Sequence, residues 1–218
     1  MMNASADYLP ATLGEGVRGD AAATRKGTRR AAQILRAALD AVVETGYTEL
    51  TLEAVARRVG ISKGNLQYYF PTRSHLLQAA FAEQIETHKR TWQDVHDAPA
   101  RDARTRLCRL VAFELAANRD PRFVAQVRER WSLAERDREL RRLSNTWHRW
   151  VTGRYAGVVG AMRPDLDKRA CRQIGIMIYA LLVGSTPYFG PDRALPSMSR
   201  GLDGRIEDTV LRMVEAAA

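Results

Sequence analysis

The sequence predicts an all-α protein, with an N-terminal three-helix helix-turn-helix domain followed by a larger helical domain. Three observations lead to this prediction. Apolar residues recur at helical spacing in most segments after residue 28. After residue 102 no segment alternates apolar and polar residues as strands do. The stretch Thr51–Phe70 has the caps and the glycine that are typical of two short helices joined by a tight turn.

The opening helix is predicted from about Thr28 to Thr45, where apolar residues form one wide stripe and Gly46 follows. In the stretch Thr51–Phe70, TLEAVARRVGISKGNLQYYF, Thr51 is a helix cap. Gly60 ends that helix, because a residue without a Cβ tolerates the left-handed conformation common at helix ends. Ser62 caps the next helix, which ends before proline.

The helix after Ser62 is unusually rich in hydrogen-bonding side chains. Leu66 and Phe70 stand four residues apart and can pack inward, which leaves Lys63, Gly64, Asn65, Gln67, Tyr68 and Tyr69. Asparagine and glutamine can read adenine in the major groove, lysine can read guanine or bind phosphate, and tyrosine can bind phosphate. The pattern favours a DNA-reading helix, and a polar helix facing solvent in an ordinary helical domain is the alternative.

The segment from about Thr28 to His88 resembles the DNA-binding domain of the TetR family of bacterial transcriptional regulators. The resemblance is carried by RRAAQILRAALDAVVETGY and GISKGNLQYYFPTRSHLL. Two positions depart from the family pattern: Gln67 replaces the usual tyrosine, and Arg73 replaces the usual lysine. We assign the DNA contacts to Thr51, Ser62, Lys63, Gly64, Asn65, Gln67, Tyr68, Tyr69 and Arg73.

The charge of the chain supports a polyanionic partner. The formal net charge is +9 and the pI is about 10.1. Nine basic and four acidic residues lie between Arg25 and Arg73, around the predicted reading helix. Such a balance favours DNA, RNA or an anionic membrane surface. A solvated basic face is the alternative explanation.

The chain is predicted to have three parts: a flexible arm over residues 1–27, the DNA-binding domain over 28–88, and an effector-binding and dimerisation domain over 89–218. The helix around Ile174–Val183 is apolar nearly all round, which indicates a domain centre or a dimer interface. The resemblance implies that residues 166–183 and 203–215 form the interface of a homodimer.

The second domain is rich in aromatic and sulfur-containing side chains that could line a ligand pocket, among them Trp131, Trp147, Tyr155, Met177 and Tyr179. For any one of them, simple core packing is the favoured explanation. The resemblance implies that some of them bind a small-molecule effector, which we expect to be apolar or aromatic.

Several function classes lack support in the sequence. There is no nucleophile motif, phosphate loop or His–carboxylate pair, and the two cysteines show neither zinc-ligand spacing nor a disulfide framework. We therefore expect no catalytic residues, no metal and no cofactor. The first thirty residues lack the apolar run of a signal peptide, and the longest apolar stretch is too short for a membrane span. We expect a cytoplasmic protein.

These observations lead to one hypothesis and two alternatives. The chain is predicted to be a ligand-responsive, sequence-specific regulator of transcription, a repressor that a small molecule releases from a palindromic operator on double-stranded DNA. One alternative is a DNA-binding architectural or adaptor protein without an effector. The other is a basic all-helical enzyme.

Overall fold

The computed structural model describes residues 25–189, 195, 197 and 199–217. Within these residues it contains α-helices, one 3-10 turn and no strand, so the all-helical prediction is confirmed. The helices are α1 (Arg25–Thr45), α2 (Leu52–Arg58), α3 (Lys63–Tyr69), α4 (Arg73–Asp97), α5 (Ala103–Ala117), α6 (Pro121–Ala134), α7 (Arg138–Met162), α8 (Lys168–Gly184) and α9 (Leu202–Glu215). The predicted arm lies outside the described residues up to position 24, and α1 begins three residues before the predicted Thr28.

Side-chain caps and glycines set the ends of the short helices. The Thr51 side chain accepts a hydrogen bond from the backbone N–H of Ala54, and Ser62 accepts one from Asn65, each at 3.1 Å. Gly46 and Gly60 have φ angles of 75° and 67°, which side chains with a Cβ rarely adopt. The predicted caps and the predicted ends of α1 and α2 are therefore confirmed.

The chain divides into two compact units. The first comprises the residues up to His88 together with Arg128–Arg141, and the second comprises Lys89–Val127 and the residues from Arg142 onwards. The division at His88 lies where the first predicted domain ends. The segment Arg128–Arg141, which we name the corner segment, was predicted in the second domain but packs with the first unit.

The first unit has a core built from α1 to α4. Helix α2 packs against both α1 and α3, and α3 buries Leu66 and then Phe70 just after its last turn. Each such burial contributes about 1.5–3 kcal/mol. The buried apolar residues of this core include Ile34, Leu35, Ala38, Val42, Val55, Leu66, Phe70, Leu76 and Phe81.

The second unit packs α5 against α8 and α9, and α8 against α9. Helix α8 buries Cys171, Ile174, Ile178 and Leu182, at helical spacing. Although α8 is apolar on nearly every face, not every face is buried: Ile176 and Met177 are 51% and 53% exposed.

Helices α7 and α8 approach each other closely at Gly175. A Cβ placed there would lie 2.6 Å from the backbone oxygen of Thr152 and 2.9 Å from the backbone nitrogen of Ala156. Both atoms belong to the backbone of α7 and have no rotamer to change. The site therefore accepts glycine alone without a shift of the two helices.

We predict that Gly175→Ala lowers the free energy of unfolding by about 1–3 kcal/mol, because the added methyl group forces the two helices apart. Urea denaturation followed by circular dichroism measures this. Gly157→Ala is the matched control, since a Cβ at that position of α7 meets no atom within 4 Å. It should leave stability unchanged or raise it slightly. A Gly175→Ala variant as stable as the parent protein would contradict the close approach.

Candidate nucleic-acid interface

Helix α3 is the centre of the candidate interface, because nearly all of its side chains are accessible to a ligand. Leu66 is its one buried residue. The side chains predicted to contact DNA from this helix are all exposed apart from Tyr69, which is half-buried. Tyr68 is 47% exposed, a high value for an aromatic residue, and its ring meets that of Tyr69 edge to face at 5.5 Å. Thr51 and Ser62 are exposed as well.

The structure thus brings most of the predicted contacts to one surface. We name Ser62, Lys63, Gly64, Asn65, Gln67 and Tyr68 the α3 surface. It presents two amides, an ammonium and hydroxyl groups, with a glycine that lets a ligand approach the backbone. The chemistry fits base edges and phosphates.

Lys63 is held by a carboxylate from the preceding helix. Its ammonium group forms an exposed salt bridge with Glu53, and this hydrogen bond lowers the pKa of the Glu53 carboxyl. Arg58 makes a similar exposed pair, in which its Nη1 donates to Oε1 of Glu44 at 3.0 Å. Exposed pairs of this kind contribute little to stability, so either cation can exchange its partner for a phosphate at small cost.

Arg73, the remaining predicted contact, begins α4 and reaches back to the turn before α2. Its guanidinium donates to the backbone oxygen of Tyr47. The Nε atom of Arg73 is buried and has no hydrogen-bond partner among the described residues. The side chain therefore ties the start of α4 to the Tyr47 turn, and its phosphate contact stays a prediction.

The turn at Gly46 and Tyr47, which we name the Tyr47 turn, is also bound by the corner segment. The backbone N–H of Tyr47 donates to Oε2 of Glu129 at 3.4 Å. Arg136 donates to the Tyr47 hydroxyl at 3.1 Å. Together with Arg73, these contacts engage both backbone polar groups of Tyr47 and its side chain.

The corner segment holds α4 too. Asp137 caps α7 by accepting from the backbone N–H of Leu140 at 3.0 Å, and it also accepts from Gln78 at 3.1 Å and from Ser74 at 3.3 Å. Burial raises the pKa of Asp137, but these hydrogen bonds together outweigh it, so that the pKa lies below its usual value. Arg130 of the corner segment also donates a hydrogen bond from Nη1 to Oε1 of Gln84 on α4 at 2.9 Å, and both side chains are buried.

Consequently, the chain before α2 and the chain after α3 are both anchored, at Tyr47 and at Arg73. The two short helices between these anchors present the α3 surface. The sequence contained no sign of the corner segment's role, because Glu129 and Arg136 lie more than 80 residues from Tyr47.

The residues predicted to line an effector pocket are only partly brought together. Trp147, Tyr155 and Tyr179 belong to one aromatic cluster of the second unit, in which the Trp147 indole donates to the Tyr179 hydroxyl at 2.7 Å. Met177 is exposed on α8, and Trp131 belongs to the corner segment in the first unit.

Sequence reasoning missed two buried residues of the second unit, Trp92 and Glu114, of which Trp92 belongs to this cluster. Trp92 stands seven residues after Ile85, on the continuation of the apolar stripe of α4, and that spacing was a usable signal. Glu114 gave no signal, because a carboxylate within an amphipathic helix ordinarily faces water.

The described part of the chain contains neither a membrane-spanning helix nor a metal-binding group. None of its helices combines the length and the hydropathy that crossing a bilayer requires. Its His, Cys, Asp and Glu residues form no group of three that could hold a metal ion.

Comparison with known proteins locates the family signal in the first unit. Residues 34–80 match the family described as bacterial regulatory proteins, tetR family. The repressor KstR of Rhodococcus jostii is 35% identical over 82 residues, which are 38% of this chain and 37% of KstR. The regulator BetI of Klebsiella pneumoniae is 37% identical over 54 residues, 25% of this chain and 28% of BetI. These matches therefore span roughly a third of the relatives' length. BetI of Escherichia coli (strain HS) is 25% identical over 161 residues, 71% of this chain and 79% of that protein.

Solved structures share the fold over most of the chain. A transcriptional regulator of Pseudomonas aeruginosa PAO1 superposes with a TM-score of 0.72 at 16% identity, covering 89% of this chain and 92% of that one. A regulator of Saccharomonospora viridis in complex with choline superposes with a TM-score of 0.69 at 19% identity, covering 85% and 95%. At these identities the likeness concerns the fold.

We predict that Glu129→Ala speeds hydrogen exchange of the Tyr47 amide, because the amide loses its acceptor, worth about 1 kcal/mol. Hydrogen-exchange mass spectrometry of peptides covering the turn measures this. Glu135→Ala is the matched control, since Glu135 is an exposed carboxylate of the same corner segment. Equal exchange in Glu129→Ala and the parent would show that the turn does not depend on this bond.

Proposed function

We propose that this chain, which carries over residues 34–80 the domain of the tetR family of bacterial regulatory proteins, is a ligand-responsive, sequence-specific DNA-binding repressor. The observation that carries the proposal is the α3 surface. A helix of seven residues buries one side chain and exposes a set of groups suited to base edges and phosphates. An ordinary structural helix gains nothing from this arrangement.

In the proposed complex α3 lies in the major groove, where the residues near its N-terminus contact base edges. Lys63 and Asn65 suit guanine and adenine, and Gly64 lets the backbone approach the DNA. Lys63 exchanges its Glu53 partner for the nucleic acid. Tyr68, Tyr69 and Thr51 contact phosphates and set the register.

The repressor acts as a homodimer, which reads two half-sites of a palindrome about one helical turn apart. The exposed apolar residues Ile176 and Met177 support an interface on α8. Together with α9, such a face can pair with its copy about a two-fold axis. The protein would act where the bacterial chromosome is, in the cytoplasm.

A small molecule bound in the second unit would release the operator. The aromatic cluster supports a ligand site there, and a regulator of the same fold is known in complex with choline. The ligand shifts the equilibrium only if it binds the released state more tightly than the DNA-bound state. Helix α4 continues from the first unit into the second, which makes it the covalent link for such a shift.

The first experiment is selection of bound sequences from a random duplex pool at near-physiological salt. We expect enrichment of a two-fold palindrome. Binding that is salt-sensitive but selects no sequence would favour an architectural protein instead. Absence of DNA binding, with an activity on some substrate, would favour an enzyme.

On the selected operator, Lys63→Ala and Asn65→Ala should each weaken binding by about 1–3 kcal/mol and relax specificity at one base position, as expected for a lost base contact. Fluorescence anisotropy with operator variants measures both effects. Asn145→Ala is the control, because Asn145 is an exposed asparagine of α7 in the second unit. Unchanged affinity in both α3 variants would mean that α3 is not the reading helix.

Arg73→Ala should weaken binding to all sequences alike and reduce the salt slope by about one, as expected for a lost phosphate contact. Titrations at several salt concentrations measure the slope, with Lys168→Ala, an exposed cation of the second unit, as the control. A lower affinity with an unchanged slope would limit Arg73 to holding the Tyr47 turn.

A further inference from the structure

Helix α3 presents a cation whose partner comes from the other short helix. Lys63, the first residue of α3, forms a salt bridge with the carboxylate of Glu53 in the first turn of α2. The side chains of Lys63 and Glu53 are 49% and 53% exposed, so both charged groups are accessible to a ligand. The salt bridge therefore adds a carboxylate beside the α3 surface, which itself carries an ammonium group, amides and hydroxyls.

Stability alone does not account for a carboxylate at this place. The helix dipole favours an acidic residue in the first turn of α2, but it does not direct the side chain to Lys63. An exposed salt bridge contributes little to the stability of a fold. In the proposed complex the carboxylate is repelled by DNA phosphates within the Debye length of about 8–10 Å. It is therefore unfavourable there unless it accepts hydrogen bonds from the DNA.

The major-groove edge of a G·C base pair complements this salt bridge. Guanine presents two acceptors, N7 and O6, and cytosine presents the N4 amino donor beside them. An ammonium group has three N–H donors and no acceptor, whereas an ionised carboxylate has acceptors only. Lys63 and Glu53 thus present a donor next to an acceptor, which matches an acceptor next to a donor on the base pair.

From this complementarity we infer that Glu53 is a specificity-determining residue, which together with Lys63 reads one G·C base pair in each half-site. The Lys63 ammonium donates to guanine O6 and N7, and the Glu53 carboxylate accepts from the cytosine N4 amino group. Each charged group exchanges the other for a base, so neither is left without a partner. Hydrogen bonds of charged groups are roughly twice as strong as neutral ones, which favours the exchange. The inference rests on the proposed function in one respect, that α3 lies in the major groove.

Other base pairs satisfy only part of the salt bridge. An A·T pair offers the adenine N6 amino group to Glu53, but it offers Lys63 one acceptor on the purine, N7, where guanine offers two. Thymine presents the O4 acceptor and a methyl group, so a carboxylate beside thymine gains no hydrogen bond. A C·G pair, in which the two bases change strands, places the donor and the acceptors on the wrong sides.

The test uses the full chain and the operator obtained from the random duplex pool. Each base pair of a half-site is replaced in turn by the other three, and fluorescence anisotropy measures the affinity. We expect the parent protein to prefer G·C at one position by about tenfold or more, as good base contacts do. Glu53→Gln and Lys63→Ala should each reduce the preference at this same position by about threefold or more, because each removes a charged hydrogen-bond partner.

The control separates a base contact from a general effect of charge. Glu53→Gln keeps the size of the side chain, but the amide is uncharged and also donates hydrogen bonds, so it no longer selects for cytosine. Glu49→Gln makes the same change of charge at an exposed carboxylate of the same unit, just before α2. It should leave the preference at the G·C position unchanged.

Two base analogues test the contacts with the parent protein itself, so the test does not depend on the folding of any variant. Replacement of the guanine by 7-deazaguanine removes the N7 acceptor, and N4-methylcytosine replaces the N4 hydrogen in the major groove by a methyl group. Both analogues keep the Watson–Crick pair. Each should weaken binding of the parent about threefold or more, as expected for a lost hydrogen bond to a charged group.

The outcomes distinguish the inference from the proposed function. Reduced preference at one G·C pair in both variants, with sensitivity of the parent to both analogues, would support the inference. Effects of the two variants at different base pairs, or a parent protein indifferent to N4-methylcytosine, would overturn it and leave the sequence-specific regulator standing. Selection of no sequence from the pool would reject the regulator and the inference together.

Discussion

Presentation of the α3 surface depends on how the Tyr47 turn is held. This turn directly follows α1 and leads into α2, and both backbone polar groups of Tyr47 are bound to side chains distant in sequence, those of Glu129 and Arg73. Backbone groups that have found side-chain partners fix the local conformation, because leaving one unsatisfied is costly. Any displacement of the corner segment or of the first turn of α4 would therefore disturb these hydrogen bonds and the conformation of the Tyr47 turn.

Helix α3, the proposed reading helix, could not be stable by itself. Isolated helices shorter than about 12–15 residues are marginal in water, and α3 has seven. Its stability comes from the Ser62 cap at one end and the burial of Leu66 and Phe70 along one side. Because so few positions supply the stability, the others are available for recognition. Lys63 keeps an exposed and exchangeable partner in Glu53, which suits the exchange of partners in the proposed complex with DNA.

The second unit joins three helices through aromatic side chains. Trp92 of α4 meets Trp150 and Tyr155 of α7, and Trp147 of α7 meets Tyr179 of α8. Aromatic pairs in edge-to-face geometry contribute about 0.5–1.5 kcal/mol beyond the area that they bury. The cluster therefore stabilises the packing of α4, α7 and α8.

The sequence by itself determined the features with a short-range cause: the caps Thr51 and Ser62, the glycines that end α1 and α2, and the inward pair Leu66 and Phe70 that leaves the rest of α3 exposed. Each depends on residues within one or two helical turns of one another, so the order of the residues is enough to predict it. Only the tertiary structure decided that the corner segment binds the Tyr47 turn, that Trp92 joins the aromatic cluster, and that Met177 is exposed on α8. Contacts between residues far apart in sequence depend on how helices pack, and no local pattern records that packing.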